Sequence, residues 1–598
     1  MRAERIKSLA VDALLSVGVL SAIAAWLAPR ASLHARLIGG GPPVTPSDIN
    51  GTLWFYWWSQ RALARGQDLM NPDVICAPTG QSLGSNFPQH VDAHLAAPLI
   101  GNLPFPLSYN LFVLAVPVLG GLGAYAGMRM LKLGRALSLM VGVLYGFNAL
   151  SIHELANGKP ASALVIATPI VLAAWIRCLR APGRQFWPWM VIAGFSGALA
   201  IQAYVLYALL IAFFAAGVGL FHLYRPAPGI PRVRVLWSIV LVTGLSVALS
   251  GPYLKRLLGE RRPMPEHAQT LRLDSPAVLR AQAESLHLAY PLMQDPDEEA
   301  PTRSAFPGAL TLAALVLVPL SGWRQRRWVV AAVGFYLLSL GPMAAWSVRP
   351  EVEWLTLFDR AIPLPTALLH KVFPFSIQFF HPCRVLPMVV LCLGAAVAVG
   401  LHGMRARLGA TRSAVIAAVI TGLGMLQVHA QGGLWLPHTA HADHPFLAQL
   451  ADEAGDFSII EFPVGLGHAT ASAQLLHGKK RSESHHDGIS GLLQGLPPED
   501  CLQLPFLQAL WDLSRGDAPA PTGPRPIQPS TSPEAIEQAH QAGFRYLVAW
   551  RPGFDVLSQA GLSIDREVAL RQIRRLLGPP VYRDETIEAW MIPGVEAP

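Results

Sequence analysis

Residues 109–160 read YNLFVLAVPVLGGLGAYAGMRMLKLGRALSLMVGVLYGFNALSIHELANGKP. Two apolar runs, Tyr109–Met128 and Ala136–Ile152, flank a connection whose only charged residues are Arg129, Lys132 and Arg135. Apolar runs of about 17–25 residues cross a bilayer as helices, and basic residues collect in cytoplasmic connections. The second run leads into His153-Glu154-Leu155-Ala156-Asn157-Gly158-Lys159-Pro160, a polar turn that must then lie on the opposite, exoplasmic side. The stretch therefore predicts an antiparallel pair of membrane helices with its cations inside and Glu154 outside.

The same alternation extends in both directions. Further runs lie at Ser8–Ala28, Ala161–Ile176, Phe186–Gln202, Tyr204–Tyr224, Val235–Leu254, Gly308–Ser321, Trp328–Trp346, Val385–Met404 and Ser413–Ala430, which makes eleven expected spans. The first shows no evident small-residue cleavage site and reads as a retained span rather than a signal peptide. Every second connection carries three basic residues: Arg2, Arg5, Lys7; Arg177, Arg180, Arg184; Arg225, Arg232, Arg234; Arg324, Arg326, Arg327; and Arg405, Arg407, Arg412, with Glu4 the only acid among all of them. The N-terminus is thus expected in the cytoplasm. The long segments Pro29–Ser108, Lys255–Pro307, Ser347–Arg384 and Gln431–Pro598 are expected outside, together with the short turn at 153–160. Composition agrees: of 598 residues 52% are hydrophobic and only 14% charged, a balance foreign to soluble chains of this size. The net charge of +8 resides in those short clusters and not on one polar face, which argues against a nucleic-acid partner.

Residues 1–430 form the polytopic module, and 431–598 read as a soluble α/β domain. Phe457–Pro463 has the pattern of a buried strand, Ser532–Gly543 of a capped helix, Phe544–Trp550 of a second strand, and Val581–Ile592 of a closing hairpin. His477-Gly478-Lys479-Lys480-Arg481 reads as a solvated basic loop, or one that touches carbohydrate or membrane. No nucleotide or hydrolase motif marks this domain as catalytic. Five cysteines show no paired spacing, so no disulfide framework is indicated, although Cys76 and Cys501 would share the oxidising side.

Acids are costly near lipid, so their map locates chemistry. Between Asp92 and Glu260 the only acid is Glu154, with His153 and Lys159 beside it; it is either a solvated loop residue or a functional carboxylate. In the first loop Thr45-Pro46-Ser47-Asp48 precedes Ile49–Trp58 as a capped helix start, and Leu53, Trp54, Trp57 and Trp58 predict a helix lying along the exoplasmic membrane surface. Asp48 is then a capping residue or a carboxylate held where a lipid headgroup meets a soluble substrate. His90, Asp92 and His94 face one way if extended and could hold a divalent metal; if helical they diverge. Basic residues near span ends are Lys159, Lys255, Arg256, Arg261, Arg262 and Arg384. Arg384 follows Phe373–Pro382, a Pro-bounded apolar stretch that predicts a re-entrant segment with His381 and Arg384 facing inward, suited to a lipid phosphate.

This layout resembles the GT-C class of membrane glycosyltransferases, and within it a bacterial multi-pass branch whose tails carry a strand ending in Pro and then a His-Gly-Lys stretch, here Glu461-Phe462-Pro463 and His477-Gly478-Lys479. The resemblance implies an enzyme of the bacterial inner membrane that transfers a sugar from a polyprenyl-phosphate donor to an exoplasmic acceptor. It makes Asp48 the catalytic carboxylate and Glu154 the second acid, and assigns substrate and phosphate contacts to Lys159, Arg384, His381, His153 and Trp57. A divalent metal is the one cofactor it raises, although the first loop lacks an Asp-x-Asp, Asp48 being followed by Ile49 and Asn50. Two rival readings are a flippase for lipid-linked saccharide and a non-catalytic envelope assembly factor. The first calls for ionisable residues deep in the spans, where the chain offers only Asp12, near the cytoplasmic end.

Overall fold

A computed structural model describes residues 2–27, 33–34, 36–39, 48–83, 91–224, 230–259, 306–321, 323–341, 345–347, 353–354, 356–357, 360–372, 382–430, 436, 438–440, 444–482, 501–515, 532–559, 562 and 564–594. Helices α1 (Arg2–Leu27), α2 (Asp48–Arg65), α3 (Val91–Asn102), α4 (Leu107–Met130), α5 (Arg135–Gly146), α6 (Ala149–Ala156), α7 (Pro160–Ala163), α8 (Ala167–Arg180), α9 (Phe186–Ala203), α10 (Val205–Tyr224), α11 (Arg232–Leu249), α12 (Gly308–Ser321), α13 (Trp323–Ser339), α14 (Leu386–Leu408) and α15 (Ala410–Ala430) build the membrane body. Each expected span overlaps one or two helices, but the run expected over Trp328–Trp346 ends as a helix at Ser339, with Ala345–Ser347 extended, and that over Val235–Leu254 breaks after Leu249, before a further helix Gly251–Gly259. Among the described residues seven segments are long and apolar enough to cross a bilayer, and Val11–Leu27, Val205–Phe221 and Gly308–Leu317 are shorter apolar helices.

The central helix is α14: 89% of its most apolar stretch is buried, against 22% for α15, whose outer face carries exposed Val415, Val419, Leu423 and Leu426. Helix α4 packs tightly on α5 and α8 because glycines line the contacts. A Cβ on Gly146 would lie 2.3 Å from the Pro117 carbonyl oxygen, and one on Gly123 would lie 2.2 Å from that of Ile166. Without a hydrophobic drive between helices in lipid, such close backbone packing holds them together.

Two spans are broken, and both breaks adjoin the Glu154 turn. Between α5 and α6, Asn148 caps the second helix: its side chain accepts from the Ser151 amide at 3.0 Å and donates to the Tyr145 carbonyl at 2.6 Å. Between α7 and α8, the Tyr145 hydroxyl donates to the Val165 carbonyl at 3.0 Å and the Tyr207 hydroxyl to that of Ser162. Side chains thus satisfy backbone groups that no water can reach.

The tail forms strands β3 (Ser458–Phe462), β4 (Lys480–Arg481), β5 (Phe544–Trp550), β6 (Tyr582–Arg583) and β7 (Ile587–Met591), after an antiparallel pair formed by β1 (Arg36–Ile38) and β2 (His438–Ala440). The sheet order is β6-β7-β5-β3-β4, parallel between β5, β3 and β4 and antiparallel across β7. The capped helix predicted from Ser532 is present as Pro533–Gln541, with the Ser532 side chain accepting from the Ala535 amide.

The first loop is clasped by this domain. The Arg481 amide donates to the Val74 carbonyl and the Ala77 amide to the Arg481 carbonyl, both at 3.0 Å, so the loop covers the edge of β4. Cys76 and Cys501, the two cysteines expected to share the oxidising side, form a disulfide there, across 425 residues of sequence; spacing alone carries no trace of so distant a pair. The reading of the tryptophan helix α2 is corrected. Leu53, Trp54 and Trp58 are buried in protein, the Trp54 indole donating to Gln474 Oε1 at 2.6 Å and that of Trp58 to the Leu69 carbonyl at 2.9 Å. Their donors are satisfied by the tail domain and the loop, not by the bilayer surface.

The His477–Arg481 stretch is likewise not a solvated loop. Arg481 Nη2 lies 2.8 Å from Glu461 Oε2, and both side chains are fully buried. Thr470 bridges them, and the Lys479 amide donates to His477 Nδ1 at 3.0 Å. Burial, with Arg481 and Lys479 nearby, pushes the His477 pKa down to about 3, so it stays neutral. The Glu461-Phe462-Pro463 and His477-Gly478-Lys479 motifs thus form one internal clamp beside the first loop.

Candidate active site

The Glu154 turn is shorter than expected, because α6 runs through Ala156 and Pro160 opens α7. Only Asn157, Gly158 and Lys159 connect them, with the Lys159 amide donating to the Glu154 carbonyl at 2.8 Å. Gly158 has φ +71°, and a Cβ on it would lie 2.6 Å from Ile49 Cα. Only glycine allows this approach, which sets the turn against the first turn of α2. Thr52 Oγ1 seals the contact by donating to the Gly158 carbonyl at 2.8 Å.

The approach places Lys159 Nζ 2.8 Å from Asp48 Oδ2. Glu154 points the other way, into protein, and its two oxygens accept from Arg384 Nε at 3.0 Å and Nη2 at 3.2 Å. Arg384 sits in a short 3-10 turn, Pro382–Val385, that opens α14, and its Nη1 also donates to the Tyr204 hydroxyl between α9 and α10. The Tyr204 ring lies 5.4 Å from the guanidinium. Asp48, Lys159, Glu154, Arg384 and Tyr204, from four separate parts of the chain, thus form one continuous polar chain.

Exposure divides it in two. The side chains of Glu154 and Arg384 are 3% and 7% exposed, whereas those of Asp48 and Lys159 are 52% and 30% exposed. The inner pair is a locked, two-toothed ion pair; the outer pair can meet a ligand. Burial works against the Lys159 ammonium, but Asp48 and Glu154 prevail and hold its pKa above the ordinary lysine value, so it remains charged at neutral pH.

Of the other expected site residues, His153 stays in the turn within electrostatic reach of Glu154, whereas Trp57 lies elsewhere. Trp57 is half-buried on α2, about 13 Å along the axis from Asp48, with the Arg61 guanidinium 5.3 Å from its ring. His153 contacts the Asn157 side chain at 2.9 Å. His90, His381, Ser47, Arg261, Arg262 and the stretch Phe373–Phe380 lie outside the described residues. Tyr204 and the Glu461–Arg481 pair were not anticipated. The only signal for Tyr204 was its place as the first residue after Ala203, the single-residue break between two apolar runs.

The proposed metal trio is described only in part, because His90 lies outside the described residues. Asp92 and His94 lie on α3, where residues two apart point to opposite sides: Asp92 is buried and accepts from the Tyr56 hydroxyl at 2.7 Å, while His94 is exposed. Among the described residues no three His, Cys, Asp or Glu side chains gather. At Asp48 the position a cation would take is held by the Lys159 ammonium.

Solved structures share this architecture. The archaeal oligosaccharyltransferase AglB from Archaeoglobus fulgidus, in complex with an inhibitory peptide and a dolichol-phosphate, superposes with a TM-score of 0.52 at 11% identity, covering 93% of this chain and 72% of that one. ArnT from Cupriavidus metallidurans, bound to undecaprenyl phosphate, gives 0.47 at 12% identity over 97% and 98%. Arabinofuranosyltransferase AftD from Mycobacteria gives 0.47 at 16% over 99% and 42%. No protein-family model matches the chain, and no curated protein does. The chain shares its fold with AglB and is a multi-pass membrane protein.

Proposed function

We propose that the chain is a membrane glycosyltransferase that moves a sugar from a polyprenyl-phosphate donor to an exoplasmic acceptor. The observation that carries this reading is the exposed carboxylate of Asp48, joined through Lys159 to a buried Glu154–Arg384 pair where the membrane body meets the clasped first loop. Asp48 takes the proton of the acceptor hydroxyl. The acceptor oxygen bonds to the anomeric carbon from the face opposite the phosphate, the bond to the phosphate oxygen breaks, and the configuration inverts. The departing phosphate passes from one negative charge toward two, and nearby cations steady it; Lys159 is the accessible one and Arg384 lies behind it. Glu154 positions Arg384 in this scheme, since both of its oxygens are engaged.

The Cys76–Cys501 bridge supports an oxidising, exoplasmic location for the first loop and the tail. The basic clusters support a cytoplasmic location for the opposite ends of the helices. The flippase reading draws little support from Asp12, which is paired with Arg135 at 2.5 Å and Arg129 at 3.4 Å, the basic residues of the connection between α4 and α5. Vesicles reconstituted with the chain and given a labelled polyprenyl-phosphate sugar separate the readings. Label on the acceptor, lost in Asp48→Asn, is the expected result; intact donor moved across the bilayer with no label transferred would favour the flippase.

A further inference from the structure

Formal charge in the outer and inner pairs sums to zero: Asp48 against Lys159, and Glu154 against Arg384. A lipid phosphate entering this site would bring a negative charge that neither cation of these two described pairs can meet without leaving its carboxylate. The inner pair cannot answer it, because Arg384 is held by both Glu154 oxygens and by Tyr204 in a buried position. The outer pair can. The Lys159 backbone is fixed by its bond to the Glu154 carbonyl and by the wedged Gly158, but its ammonium rides on a flexible four-carbon stem and is partly exposed beside an exposed carboxylate.

Resting on the glycosyl-transfer reading, we propose that Lys159 is a two-position cation: it caps Asp48 in the resting protein and moves to the donor phosphate on binding, releasing Asp48 to act as base. While the Lys159 ammonium sits 2.8 Å from Asp48 Oδ2 it occupies the acceptor oxygen that an incoming hydroxyl proton needs, and its departure opens that oxygen. No proton is consumed by the exchange; the acceptor hydroxyl later delivers its proton to the freed carboxylate. Donor arrival and base activation thereby become one event, which guards the site against idle deprotonation and ties acceptor chemistry to an occupied donor site.

The test is equilibrium binding of a short polyprenyl phosphate, which carries no sugar and cannot turn over, to the full chain in nanodiscs. Asp48→Asn is expected to bind about tenfold tighter than wild type, because Lys159 no longer has to leave a carboxylate; tenfold corresponds to about 1.4 kcal/mol. Lys159→Met is expected to bind at least tenfold more weakly, and adding Asp48→Asn to it should recover nothing. In Lys159→Arg, which keeps the charge and guards against misfolding of the Met variant, Asp48→Asn should again tighten binding. Unchanged or weaker binding by Asp48→Asn would overturn the proposal, as would equal tightening with and without Lys159, which would mean simple removal of a repelling charge. Sugar transfer without this coupling would sink the two-position lysine alone, whereas coupling without transfer would uphold the exchange and remove the enzymatic reading.

Discussion

Asp48 and Glu154 are both carboxylates beside a cation, yet burial gives them opposite consequences. Asp48 is half-exposed, so Asp48→Asn should change stability by no more than about 0.5 kcal/mol while slowing transfer by about 10²–10⁴-fold; thermal melting and a transfer assay on one preparation check both. Glu154→Ala would strand the Arg384 guanidinium inside protein, a loss of about 3–5 kcal/mol, visible as a collapse of the melting temperature in detergent. Joint replacement, Glu154→Gln with Arg384→Met, should recover part of it. Asp92 offers a pH test. Burial, only partly offset by the Tyr56 hydroxyl, lifts its pKa from 3.8 to about 6. Its protonated form suits the buried site, so the unfolded chain loses this proton at lower pH than the folded one. The contribution to stability is therefore full below 3.8 and falls away as pH rises to about 6. Asp92→Asn should melt higher than wild type above pH 6, with the gain vanishing near pH 4; a gain independent of pH would refute this assignment. Asp48, Glu154 and Arg384 were legible because isolated charges near span ends are rare. Tyr204 was not, since a tyrosine at a membrane boundary is ordinary and its partner Arg384 lies 180 residues away.

Elements were legible where their pattern is local. Helix α2 begins at Asp48, and the tail strands Ser458–Phe462 and Phe544–Trp550 fall where alternation and flanking turns put them. Residues His90–His94 were ambiguous because so short a stretch fits a strand or a helix start; α3 begins at Val91 and turns Asp92 and His94 to different sides. What covers an element was hidden. Nothing in the tryptophans of α2 distinguishes an indole at the lipid surface from one bonded to Gln474, 420 residues on. The disulfide is the element-scale device that holds this cover, in company with the β1–β2 pair and the loop at the edge of β4. Cys76→Ser with Cys501→Ser should cost about 2–4 kcal/mol and expose the first loop to proteolysis from the tail-domain side. An unchanged cleavage pattern would mean that the hydrogen bonds alone hold the clasp.

At the scale of the molecule, the chain declares its layout through alternation: apolar runs, with cations in every second connection, set the order and direction of the helices. The resemblance to GT-C enzymes rested on that layout, and the fold carries it. How the helices break was less legible, because Asn148 and the Tyr145 and Tyr207 hydroxyls work through contacts that no periodicity reveals. Those breaks turn Glu154 inward and Lys159 outward, so they decide the site. The most direct measurement is a cryo-EM structure of the full chain in nanodiscs with a bound polyprenyl phosphate. Phosphate density is expected within hydrogen-bonding distance of Lys159 Nζ, beside the first turn of α2 and on the face that carries the Cys76–Cys501 bridge. Phosphate density at the Asp12–Arg129–Arg135 end, or Asp48 and Glu154 found far apart, would contradict the account.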